Sequence, residues 1–326
     1  MSCTIAWRST GAYLDRLQAF VNRLSPVHNA LKAHVLYNRL AFDRTQGIHD
    51  KDRFLAYLKL PRRQHYMAKA LLEREEALRY PADLNADFTG VTLLPVVRVD
   101  EELVRDYLKH FLVTADSGKE FEPFINDIYL RHLYAETKIE NGLGDEEQWA
   151  SLLPPELFRQ LKERIDIDFA ATNKSNFAAD EAVQLDLFVK NVPNLLVKVF
   201  EVNTLNFYRA QQREVDTDIN LDGLVANAEE TRPYAEPPLR RMSRHFEFPQ
   251  LKKPGVYVID FIGGGKSSRA LIRKGRLRPV VAVGTAGQVV TVFDDANNPV
   301  KDATVWFGGA EYPPDKDGRI DRKSVV

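Results

Sequence analysis

Apolar residues recur at three- and four-residue steps through the first half of the chain. Leu14, Leu17, Phe20, Val21 and Leu24 form one run, closed by Pro26, and this spacing puts a single apolar stripe on a helix. A second stretch, Ala30 to Ala41, brings Leu31, Val35, Leu36 and Leu40 onto one face. A third follows Asp50, whose short carboxylate suits an N-cap, and runs through Phe54, Leu55, Tyr57 and Leu58 to Pro61. Arg62 to Tyr80 is rich in Ala, Leu, Glu and Arg and predicts another helix, ended by Pro81. Asp100 is placed to cap Glu101–Leu112. Pro123 fits the first turn of a helix carrying Phe124, Ile125, Ile128, Tyr129 and Leu133, and Pro154-Pro155 opens a last one, Glu156–Arg164. Short antiparallel helices around one core follow from this pattern.

After Ile165 the period changes to two. Val183, Leu185, Leu187 and Val189 alternate with Gln184, Asp186 and Phe188; Phe246 and Phe248 alternate with His245 and Glu247. Tyr257, Ile259 and Phe261 alternate with Val256, Val258 and Asp260. Asn191-Val192-Pro193-Asn194, Pro254-Gly255, Gly263-Gly264-Gly265, Asn297-Asn298-Pro299 and Asp317-Gly318 punctuate these runs as turns. Short strands with few helices between them predict antiparallel sandwiches.

The order of these segments carries a resemblance. Phe177-Ala178-Ala179-Asp180-Glu181-Ala182-Val183 precedes a strand, Leu196 to Val202 leads to Phe207-Tyr208-Arg209, and a basic-aromatic strand precedes Pro254-Gly255-Val256-Tyr257-Val258-Ile259. Val289–Phe293, Asn298–Val305 and Asp315-Lys316-Asp317-Gly318 follow as a strand, a hairpin and a turn. This half of the chain resembles the macroglobulin-type sandwiches of the bacterial alpha-2-macroglobulin family, with Asp302 where that family more often has Gly. The fold expected is α+β and multidomain: an N-terminal α-helical region, an antiparallel β-sandwich of macroglobulin or immunoglobulin-like type, and a second, truncated sandwich. The expected boundaries are 1–164 for the helical region, 165–277 for the first sandwich and 279–320 for the second. Residues 321–326 are similar to a one-frame translation of a sequencing adapter, and a truncated reading frame with an artefactual tail is expected there.

Composition narrows the classes. With 44% hydrophobic and 28% charged residues the chain is globular. Its 45 Lys and Arg against 46 Asp and Glu leave a net charge of −1, which gives no bulk attraction to nucleic acid. No apolar run approaches the roughly 20 residues that span a bilayer, and the N-terminus lacks the charged and apolar regions of a signal peptide. Cys3 is the single cysteine, which excludes an internal disulfide and a cysteine-based zinc site.

Candidate chemistry is sparse. Asp218 to Glu229 fits the calcium-loop pattern, with Asp218, Asn220, Asp222 and Glu229 at ligand positions and Gly223 at the sharp turn. The competing reading is an acidic loop whose apolar residues pin it to the sandwich, because Pro233 blocks an exiting helix and Leu221 is out of place in a solvated loop. Gly263-Gly264-Gly265-Lys266-Ser267 ends like a phosphate-binding loop, but Asp260 stands where the pattern needs Gly, so a hairpin turn is expected. Arg240 to Arg278 is locally basic, either a surface for an anionic partner or a set of strand-face cations that blunt edges. The carboxylates of Asp145-Glu146-Glu147 suit the start of a helix. The seven histidines are scattered, without a metalloprotease pair, and no nucleophile elbow is present.

No catalytic, cofactor-binding or metal-binding residue is assigned, and no enzyme activity or cofactor is expected. The resemblance implies a scaffold fragment whose parent traps proteases in a bacterial periplasm or at the cell surface. Protease contact would come through downstream regions, and neither nucleic acid nor a transmembrane segment enters that picture. The alternative is an immunoglobulin-like structural or ligand-binding module of a large surface protein.

Overall fold

The computed structural model describes residues 2–284 and 287–323. Helices come first: α1 (Ser2–Val21), α2 (Asn29–Thr45), α3 (Lys51–Lys59), α4 (Lys69–Leu72), α5 (Glu75–Arg79) and α6 (Thr89–Thr92), then α7 (Glu101–Thr114), α8 (Asp127–Asn141), α9 (Glu146–Ser151) and α10 (Pro155–Glu163). Leu36 and Leu40 of α2, Phe54 and Leu58 of α3, Val104, Tyr107 and Leu108 of α7, and Leu130 and Leu133 of α8 meet in one core. As expected, the Asp50 side chain caps α3 by accepting from the Arg53 N–H. Asp145 likewise accepts from the Glu147 N–H at the start of α9.

Three local expectations are corrected, two of them by one buried ion pair. Arg62 and Asp100 are both fully buried, with Nε to Oδ2 at 2.9 Å. The Tyr57 hydroxyl donates to the same carboxylate oxygen at 2.7 Å, and the Arg62 guanidinium lies 4.0 Å from the centre of the Tyr57 ring. Asp100 therefore turns inward and makes no cap bond to α7. A cap contributes about 1 kcal/mol, less than the cost of a buried unpaired guanidinium. Arg62 also donates to the Leu60 carbonyl at 2.8 Å, which holds Arg62–Ala68 out of helical geometry. Only α4 and α5 form where a longer helix was expected. Pro123 precedes α8 without opening it: Asn126 is the cap, while its N–H donates to the Tyr66 carbonyl at 2.8 Å.

Strands follow from Asp166: β1 (Asp166–Phe169), β2 (Asn176–Phe177), β3 (Gln184–Lys190), β4 (Asn194–Val202), helix α11 (Thr204–Gln211), β5 (Ala228–Pro233), β6 (Arg241–Glu247), β7 (Gly255–Gly263) and β8 (Lys266–Lys274). One sheet runs β1-β3-β6 and the other β2-β8-β7-β4-β5, antiparallel except for the β2–β8 pair. Asn191–Pro193 thus carries the chain from one sheet to the other. Leu185, Leu187, Val189 and Phe246 from the first sheet meet Leu195, Val197, Ile259 and Phe261 from the second. The opposite face of the second sheet is covered as well, since Val215, Ile219 and Leu221 pack on Phe200, Val258 and Leu271. Strand β7 is consequently buried on both sides and reads as an almost unbroken apolar run.

A smaller sheet, β13-β10-β9, is formed by β9 (Arg278–Gly284), β10 (Gly287–Phe293) and β13 (Arg319–Lys323), beside the hairpin β11 (Val305–Phe307) and β12 (Ala310–Tyr312). Of the residues expected to be an artefactual tail, Asp321–Lys323 pair in register with Val289–Gly287 of β10. Ser324–Val326 lie outside the described residues. The whole is an N-terminal helical region followed by antiparallel sheets, as the sequence pattern implied. Among the described residues no helix is long and apolar enough to cross a membrane.

The buried ion pair makes a prediction. Asp100→Asn leaves the guanidinium uncompensated and should lower the unfolding free energy by about 3–5 kcal/mol, read from urea denaturation. Asp50→Ala removes mainly a cap and should cost about 1 kcal/mol. Equal costs for the two variants would contradict this assignment.

Candidate functional site

The acidic loop is held by its apolar residues. Ile219 and Leu221 are buried against the second sheet. Asp218 pairs with Arg213 at 2.9 Å, the Asn220 side chain accepts from the Asp222 N–H, and Glu229 stands in β5 beside Lys198 at 3.3 Å. Among the described residues no group of three or more His, Cys, Asp or Glu side chains is placed to hold a metal ion. Val225, at the usual apolar position of a calcium loop, is 90% exposed.

The glycine-rich segment is the β7–β8 hairpin turn. Gly264 and Gly265 both take positive φ (58° and 80°), and a Cβ on Gly264 would sit 2.6 Å from Ile165 Cδ1. Asp260, which breaks the phosphate-loop pattern, is buried in β7 and accepts from Arg269 Nε at 3.2 Å.

The basic segment forms no single patch, because most of its cations are used within the chain. Arg240 donates to the Ile139 carbonyl of α8, Arg241 pairs with Asp168 of β1 at 3.1 Å, and Arg244 pairs with Glu236. Lys266 donates to the Ile165 carbonyl at 3.1 Å, and Arg273 to the Val215 carbonyl at 3.0 Å. Lys274 reaches the Glu181 carbonyl.

The strongest electrostatic cluster lies where helices meet strands. Glu136 and Glu140, one turn apart on α8, face Arg105 and Lys109 of α7 on one side and Arg164 on the other. Arg164 also grips Asp166 of β1 at 3.0 Å. Burial opposes ionisation of Glu136, yet Lys109 and Arg105 beside it hold its carboxyl well below the usual range. Lys190 of β3 reaches the Leu161 and Arg164 carbonyls at the end of α10. Burial, and then Arg164 nearby, lower its pKa. Ala135, Ile139, Leu153, Leu161 and Leu239 form an apolar seam beneath these charges.

Two histidines far apart in sequence also meet. His49 and His110 stack with ring centres 3.8 Å apart and planes within 7°. Burial lowers the pKa of His110, His49 beside it adds to the shift, and Asp106 opposes it. His34, 2% exposed, is lowered by burial, with Asp87 opposing; its Nε2 lies 2.9 Å from Thr92 Oγ1. Helical periodicity shows which residues share a face but not which helices touch, so the stack is invisible in the sequence.

Two predictions follow from these shifts. Glu136→Gln should destabilise the fold by roughly 1–3 kcal/mol at neutral pH. Its depressed pKa makes this contribution fully present above about pH 4.5 and lost progressively as pH falls further, so the gap between variant and parent should narrow in acid; a constant gap from pH 7 to 3 would refute the pairing. His34 and His110 are lowered groups, whose stabilisation is present above about pH 6.5 and lost as pH falls through it. The melting temperature should therefore drop between about pH 7.5 and 5.5, and drop less in His34→Asn.

Comparison with known proteins places these features. Residues 8–165 match the family model described as the Actin-binding protein F N-terminal domain, and residues 195–275 match the AbpF first immunoglobulin-like domain. Actin-binding protein F of Dictyostelium discoideum is 32% identical over 304 residues, which are 92% of this chain and 13% of that protein. The chain thus spans about an eighth of the length of this relative. A solved fragment of native alpha-2-macroglobulin from Escherichia coli, spanning domains MG0-NIE-MG1, aligns with 14% identity over 48% of this chain and 56% of its own, at a TM-score of 0.32. That likeness is too slight to argue from. What carries over from the resemblance seen in the sequence is its coarser part, an immunoglobulin-like module after a helical region.

Proposed function

We propose that the chain is a non-enzymatic structural module of a large actin-associated protein, with the helical region and the immunoglobulin-like sandwich acting as one rigid unit that contributes to filament contact. The observation that carries this reading is the similarity to Actin-binding protein F along almost the whole chain, with the two family models matched in sequence order. The α8–β1 charge cluster supports the rigid unit, since desolvated pairs and an apolar seam resist hinge motion better than a flexible linker. A protease-trapping parent gains no comparable support, and the structural-module reading replaces it.

Co-sedimentation with actin filaments tests the proposal. The chain should pellet with filaments in a saturable way up to about 50 µM actin, as expected for a contact in the micromolar range. A chain left in the supernatant throughout would remove filament contact from these residues.

A further inference from the structure

We propose that the sandwich binds an extended, lysine- or arginine-bearing peptide in the cleft between the free edges of β5 and β6, by adding it as a strand to β6. Strands β5 and β6 end their respective sheets on the same side of the sandwich. Between them lies a cleft of about 570 Å³, within the usual range for ligand sites. Its apolar lining comes from Val197, Val199, Ala228 and Phe248.

The backbone of β6 is set for pairing on this side. The Ala170 N–H donates to the Asp186 carbonyl, so Asp186 turns its backbone toward β1, and its neighbours Leu185 and Leu187 turn theirs toward β6. Their partners Phe246 and Arg244 therefore hold the ladder. His245 and Glu247, at the alternating positions, direct N–H and C=O away from β3. Among the described residues no strand pairs with that side of β6. Apart from the His245 carbonyl, which Arg232 Nη1 reaches at 3.4 Å, this outward row offers a template for an added strand.

Arg232 shows which side chain the cleft accepts. Its guanidinium lies 4.4 Å from the centre of the Phe246 ring, and Nη1 donates to the His245 carbonyl at 3.4 Å. An incoming Arg or Lys can take over both contacts, a cation on an aromatic face and a donor to an edge carbonyl. The charge around the cleft has the matching sign. Glu229, Glu230 and Glu247 line it; Lys198 offsets Glu229 at 3.3 Å and Arg232 offsets Glu230 at 2.9 Å, while His245 is engaged by Asp186 at 2.8 Å. Glu247 is the carboxylate left over from these pairs, and this small negative excess favours a basic chain over phosphate.

The test uses the whole chain and two fluorescein-labelled heptapeptides, one alternating Lys with Val and the other alternating Glu with Val. In anisotropy titrations at about 50 mM salt, the lysine peptide should bind at least about tenfold more tightly than the glutamate peptide. The combined variant Glu229→Gln, Glu230→Gln and Glu247→Gln should remove most of that preference. His245→Pro deletes an outward N–H without touching the ladder and should abolish binding while the circular dichroism stays unchanged. Hydrogen exchange of the unmodified chain covers the case in which that variant fails to fold: the lysine peptide should slow the His245 and Glu247 amides. Equal binding of the two peptides, no binding up to about 1 mM, binding undiminished in folded His245→Pro, or protection confined to other amides would each overturn the proposal.

Discussion

The fold turns on the guanidinium of Arg164. From the end of α10 it reaches Glu136 and Glu140 on α8 and Asp166 at the first position of β1, so one side chain ties the last long helix to the first strand. A planar group with five donors in fixed directions sets an angle as well as a distance, which a lysine cannot do. Lys190 complements it from β3 by taking the carbonyls that close α10. The apolar seam below supplies burial, and the charges above supply orientation. Junctions between two cores usually bend at an exposed linker. Here the connection between α10 and β1 is two residues, Arg164 and Ile165, and Arg164 and the following Asp166 are both held in the network.

This arrangement determines where the positive charge goes. Counted along the sequence, Arg240 to Arg278 is a dense basic run. In three dimensions most of its members reach carboxylates and carbonyls of other elements: Arg240 to α8, Arg241 to β1, Arg273 to the loop before the acidic segment. The chain uses most of these cations to join elements, which agrees with reading the run as strand-face cations and not as one basic surface.

Much of the architecture was legible because local physics agreed with the final packing. The three-to-four-residue repeat marked α1, α2 and α3, Asp50 marked a cap, the acidic run Asp145-Glu146-Glu147 marked a helix start, and two-residue alternation marked β3, β6 and β7. The misreadings share one cause, a long-range partner that outweighs a local preference. Arg62–Tyr80 contains good helix formers, but Arg62 is needed as the buried partner of Asp100, and the backbone bends to deliver it. The same pair takes Asp100 away from the cap it was suited to make. The apolar residues of the acidic loop did announce their role as pins, because Ile219 and Leu221 have no place in a solvated turn. The stacking of His49 on His110 and the meeting of β5 and β6 left no trace in sequence, since both depend on which elements end up side by side.

Covering the faces of a sandwich moves recognition to its edges. The second sheet has its inner face against the first sheet and its outer face under α11 and the loop that follows, so its central strands β4 and β7 carry apolar residues on both sides. Strand β8 is closed at its edge by the short parallel strand β2, with Asn176 opposite Arg273. On the opposite side, among the described residues, no strand pairs with the outer edges of β5 and β6, and the charged residues Glu229, Glu230 and Arg232 guard the β5 edge against indiscriminate pairing. Pro233 stands only at the far end of β5, and the middle of β6 carries Ser243, Arg244 and His245 with the ladder regular through all of them. Backbone edges read the spacing of a partner's main chain more than its side chains. A module built this way tolerates sequence drift in what it binds, provided that the partner is extended and carries the complementary charge.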